Sequence, residues 1–98
     1  MVNVQDPRPA EFTECTVGPS SSPLRFRGRI LAHAERDHGG DTLRYVLYET
    51  ADGDFVGELV MVDRFTEYRR WETQEQAFLW FGDKALNAEL LRQLAAGQ

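Results

Sequence analysis

The chain predicts an α+β domain, an antiparallel sheet of four to five strands followed by two short C-terminal helices packed on one face. Three observations carry that prediction. Residues 42–62 read TLRYVLYETADGDFVGELVMV, two apolar runs on either side of Asp52-Gly53, and Asp-Gly in that setting is a strong hairpin signal. Further alternating segments flank this hairpin at residues 11–17, 24–35 and 65–71. Beyond Trp71 the apolar period lengthens from that of a strand to that of a helix.

Each element has its own reason. Residues 1–10 hold Pro7 and Pro9, which remove backbone donors, and read as a tail outside a single domain spanning residues 11–98. Residues 11–17 (EFTECTV) form a first strand, with Phe12, Glu14 and Thr16 on one face and Thr13, Cys15 and Val17 on the other. Residues 18–23 (GPSSSP) are a loop. Residues 24–35 (LRFRGRILAHAE) form a second strand. Unbroken alternation puts Leu24, Phe26, Gly28, Ile30 and Ala32 on one face and Arg25, Arg27, Arg29, Leu31 and His33 on the other. Residues 36–41 (RDHGGD) read as a turn or short loop.

In the central hairpin Leu43, Tyr45 and Leu47 alternate with Val46 and Tyr48, so both faces should be covered, as in central strands. Residues 65–71 (FTEYRRW) are the last strand. Thr73 and Gln76 then fit a capping box, starting a short helix that buries Ala77, Phe78 and Phe81 and stops at Gly82. Asp83 or Asn87 can cap a second helix, whose apolar stripe is Leu86, Leu90 and Leu94 joined by Leu91, ending at Gly97.

Composition narrows the classes of function. A chain of 98 residues builds one core, and two Trp, three Tyr and six Phe supply much of its buried area. The formal net charge of −5 argues against a bulk nucleic-acid partner. Cys15 is the only cysteine, which excludes an intrachain disulfide and suits a reducing compartment. The N-terminal residues lack a basic flank followed by an apolar run, and no run approaches membrane-spanning length. The chain therefore reads as cytoplasmic, with no membrane partner.

The order of these features resembles the EXLDI family of small bacterial proteins. The likeness lies in EFTECTVG at residues 11–18, RFRGRILA at 25–32, an R-Y-x-x-Y-x-T-x-x-G run at 44–53, and the leucine stripe of the last helix. It covers about residues 11–96. The chain ends LRQLAAGQ, without the terminal Glu-x-Leu-Asp-Ile that names the family. The resemblance implies no reaction, ligand or functional residue.

Several constellations are candidates for chemistry. Arg25, Arg27 and Arg29 share a strand face and could hold an anion or track phosphates; acids on neighbouring strands, such as Glu49 or Glu58, could equally pair with them. His33, Asp37, His38 and Asp41 are metal-ligand types, but their spacing matches no tight motif, so no metal site is assigned. Cys15 with a histidine could make a nucleophile pair, although a mid-strand cysteine is usually packing. No phosphate-cradling or dinucleotide motif occurs, and no cofactor is expected.

Two short helices should roof only one face of the sheet, which leaves Val46, Tyr48, Val56, Val60 and Val62 on an open apolar face. The leading expectation is a non-enzymatic protein that binds another protein or its own copy as a homodimer. Its anchors would be Tyr48 and Val60 on that face, or Trp71, Phe78 and Trp80 at the aromatic helix. The alternatives are a small-ligand or enzymatic domain with a sheet–helix cavity that holds an anion, and nucleic-acid binding through the arginine strand.

Overall fold

The computed structural model describes residues 12–96. The expected tail at residues 1–10, the start of the first strand at Glu11 and the stop at Gly97 lie outside the described residues, as does the side chain of His38. The elements are β1 (Thr13–Val17), β2 (Leu24–His38), β3 (Asp41–Thr50), β4 (Phe55–Met61), β5 (Phe65–Trp71), α1 (Gln74–Phe81) and α2 (Lys84–Ala96). The strands form one antiparallel sheet in chain order, a meander of hairpins with β3 at its centre. The expected α+β arrangement is thus present, with five strands and two C-terminal helices.

The hairpins follow from their turns. Thr50 N donates to Asp54 O at 2.9 Å and Gly53 N to Thr50 O at 3.0 Å, which closes β3 onto β4 around Asp52-Gly53. β2 runs three residues beyond its expected end at Glu35, and residues 36–38 are strand rather than loop. Gly39 and Gly40 alone make the turn, with φ of 61° and 91°. Two successive positive φ values form the two-residue turn whose twist matches the flanking strands, so the strand continues up to it.

Unbroken alternation in β2 does not hold. Ile30 lies opposite Tyr48 but Ala32 lies opposite Leu47, so Leu31 is the extra residue of a β-bulge. Phe26, Gly28 and Ile30 therefore face one side of the sheet, while Ala32 and Ala34 face the other. His33, expected with the arginines, falls instead on the side of Ile30.

Both helices pack on the face of Ala32, Ala34, Leu43, Tyr45 and Leu47. The capping box forms as expected: Gln76 N donates to Thr73 Oγ1, and Thr73 N to Gln76 Oε1. Gly82, at φ 69°, ends α1. Asp83 is the cap of α2, accepting from Leu86 N at 3.1 Å through one carboxylate oxygen and binding Arg36 at 2.6 Å through the other. Leu86 and Leu90 are buried against the sheet with Leu94 beside them, but Leu91 is 52% exposed and lies off the stripe. Tyr45 stacks on Phe81 at 4.5 Å and donates its hydroxyl to the Phe81 carbonyl at 2.9 Å.

The opposite face is not left open along its whole length. Val17, Phe26, Val46, Tyr48 and Val56 form a second core, with Cys15, Leu24 and Tyr68 packed on it. The expectation of an uncovered apolar face is thereby corrected for Val46, Tyr48 and Val56. β2 bends at its bulge, and the β1–β2 hairpin folds over these side chains, roofing half of the face without any helix.

Candidate functional site

Register places four rows across this second face. They are Ile30, Tyr48, Val56 and Arg70; then His33, Val46, Glu58 and Tyr68; then Glu35, Arg44, Val60 and Thr66; and last Asp37, Thr42 and Val62. In the first two rows Tyr48, Val56, Val46 and Tyr68 carry the roof while Ile30 and His33 do not, and the last rows lie outside it.

The roof is held by two side chains. Glu58 Oε2 accepts from Gly18 N at 3.1 Å, and its other oxygen accepts from the Tyr48 hydroxyl at 3.3 Å. Tyr68 donates its hydroxyl to Ser22 O at 3.3 Å. Gly18, at φ 91°, lies flat on the Tyr68 ring, where any Cβ would collide. Burial pushes the Tyr48 hydroxyl well above the usual phenol range, and the Glu58 carboxylate beside it adds to the shift. Glu58 appeared in the sequence only as a possible partner of the arginines. Its readable signal was a lone acid between Val56 and Val60 on an apolar strand face.

Beside the roof, a shallow cleft of about 410 Å³ opens among Ile30, His33, Glu35, Arg44, Val46, Tyr48 and Glu58. Val46 is its buried floor and Arg44 pairs with Glu35 across it at 2.7 Å. Ile30 is 56% exposed and Val62 is 37% exposed, with half-buried Val60 in the row before Val62.

The other expected site residues fall elsewhere. Trp71, Phe78 and Trp80 pack half-buried against the helix-covered core, with Trp71 and Trp80 ring centroids 6.0 Å apart; α1 buries Ala77 and Phe81 but not, as expected from the sequence, Phe78 as well. The buried Trp71 Nε1 has no acceptor among the described residues. Tyr48 and Val60 share the second face, but Tyr48 lies under the roof and Val60 outside it. Arg25, Arg27 and Arg29 do share one face, on the side opposite the cleft. Arg29 makes a two-pronged pair with Glu49 at 2.7 and 3.0 Å and lies 5.7 Å from the Phe12 ring centroid. Arg27 donates to Phe12 O at 3.2 Å, and Arg25 is exposed. Glu58, on the other face, is not their partner.

His33 and Asp37 share the second face, while Asp41 binds Arg64 at 3.2 Å. Among the described residues, no three His, Cys, Asp or Glu side chains come together as a metal set. Cys15 Sγ lies 3.5 Å from the carbonyl oxygens of Thr13 and Gly28 and packs on the second core. Among the described residues no helix is long and apolar enough to cross a membrane. Comparison with family models, curated proteins and solved structures finds no match to this chain.

Proposed function

We propose that this protein is a non-enzymatic binding module that holds another protein, or a second copy of itself, on the open half of its second face. The observation that carries this reading is a pair of exposed apolar side chains there. Ile30 stands out of the surface at the cleft on β2 and Val62 just past β4, beside half-buried Val60, and between them Arg44 and Glu35 form an ion pair. Apolar side chains with paired polar groups among them suit a non-obligate protein interface, which overall is no more apolar than the rest of a protein surface. The aromatic helix supports the reading less, because Trp71, Phe78 and Trp80 are half-buried against the helix-covered core. An anion or a nucleic acid is supported less, since Arg29 is paired with Glu49, Arg27 hydrogen-bonds to a backbone carbonyl and the row faces away from the cleft, leaving only Arg25 exposed without a bond among the described residues. A cytoplasmic setting belongs to the same proposal and is supported by the single unpaired thiol.

The test is photo-cross-linking inside the producing cell, with a photoreactive residue replacing Val60 and, as control, Lys84 at the exposed start of α2. A defined covalent adduct from position 60 and none from position 84 is the expected result. Equal labelling at both positions, or none at 60, would overturn the proposal.

A further inference from the structure

Among the described residues the sheet has three stretches of unpaired strand edge, and they are not alike. Which residues aim their backbone groups outward follows from the hairpin bonds. Thr50 N donates to Asp54 O and Val62 N to Thr42 O, so the even-numbered residues of β4 bond to β3. Phe55, Gly57, Leu59 and Met61 therefore turn toward β5 and are met by Trp71, Arg69, Glu67 and Phe65. Thr66, Tyr68 and Arg70 are left with N–H and C=O pointing away from the sheet.

On β2 the same accounting leaves His33, Glu35 and Asp37 facing outward. Gln93 of α2 closes the first of these, accepting from His33 N at 2.9 Å and donating to His33 O at 2.7 Å. A second copy pairing antiparallel with the rest would set Glu35 against Glu35, or Glu35 against Asp37 and Arg36 against Arg36. Like charges directly opposite repel, so this edge is guarded. β1 offers only Glu14 and Thr16.

β5 is different. Its sequence, Phe65-Thr-Glu-Tyr-Arg-Arg-Trp71, is self-complementary about Tyr68. Placed antiparallel to a second copy with Tyr68 opposite Tyr68, it sets Glu67 against Arg69 twice and Phe65 against Trp71 twice, all on one face. These pairs fall at the non-hydrogen-bonded positions, where side chains come closest, while Thr66, Tyr68 and Arg70 supply the backbone bonds. A shift of the axis by one residue either way opposes Glu67 to Glu67 or Arg69 to Arg69. Among the described residues neither Glu67 nor Arg69 has an ion-pair partner within the chain, and Phe65 is 44% exposed. We infer that two copies of this chain join through their β5 strands about a two-fold axis at Tyr68, making one continuous ten-stranded sheet. This goes beyond the second-face reading and does not need it, because a cross-link at Val60 and the pairing of β5 are read out separately.

Sedimentation equilibrium of the full chain tests it, with Glu67→Arg, Arg69→Glu and the double exchange. The wild-type chain is expected to dimerise reversibly. Each single reversal creates two like-charge pairs and should weaken the dimer by about tenfold or more. The double exchange restores opposite charges in the same register and should recover most of that loss. Thermal melts at a concentration where every variant is monomeric should stay close together, since both side chains are exposed. A chain that stays monomeric throughout overturns the inference. So does a dimer indifferent to the reversals, or one that the double exchange fails to rescue.

Discussion

At the scale of single residues, Glu58 is the group on which the second face depends. It ties the roof to β4 through the Gly18 amide and receives the Tyr48 hydroxyl from beneath. Deprotonating Tyr48 would put a phenolate beside a carboxylate in a buried place, which is why its pKa is raised, burial first and Glu58 second. A raised folded pKa means the unfolded chain releases the proton first. The stabilising contribution is therefore intact below the ordinary phenol value of about 10 and is lost as pH climbs from there toward the folded value. Tyr45 is shifted the same way, chiefly by burial. Urea unfolding at a series of alkaline pH values should show stability falling above about pH 10. Tyr48→Phe should flatten that fall without abolishing it, because Tyr45 still contributes. An unchanged alkaline slope in the variant would show that Tyr48 is not held neutral by its surroundings.

At the scale of elements, β2 shows where pattern reading stops. The hairpin at Asp52-Gly53, the last strand, the capping box and the leucine stripe were all legible, because each is specified by residues adjacent in sequence. The bulge at Leu31 was not. Even-numbered residues from Leu24 to Ala34 are all small or apolar, so the sequence looks like one flat strand although its two halves face opposite sides. The residue that confirms the bulge, Gln93, lies 60 positions away. The roof was hidden for the same reason: Gly18 and Glu58 are 40 residues apart. Only the folded chain shows that a β-hairpin can cover what two helices cannot. Gln93 gives the element its own test. Gln93→Ala removes both bonds to His33 at the free edge and should cost about 1 kcal/mol, because water can replace part of what is lost at an exposed site. Hydrogen exchange at the His33 amide should rise more than exchange at Ala32, which faces β3. Uniform protection at both would show that the edge does not rely on Gln93.

At the scale of the whole molecule, β3 and β4 are shared walls. Their residues alternate between a core roofed by helices and a core roofed by a hairpin, so neither core can dissolve while leaving the other a complete wall. This coupling bears on both proposed surfaces, since the cleft and the β5 edge hang from the same two strands and keep their geometry only if the sheet moves as one body. The consequence can be measured with one truncation in each core. Leu90 is fully buried under α2 and Val56 is fully buried under the roof. Leu90→Ala should cost about 3 kcal/mol and Val56→Ala about 2 kcal/mol, from lost transfer energy plus the cavity left behind. Because the two side chains belong to separate cores, the double variant should come within about 0.5 kcal/mol of the sum. All three should unfold in one transition, seen alike by tryptophan fluorescence, which reports the helix-covered core, and by tyrosine signals that include Tyr48 and Tyr68. If the Val56 variant loses its tyrosine signal before its tryptophan signal, the hairpin roof is a separable unit. The second face would then be a surface that opens, and the cleft beside Val60 would be only its closed form.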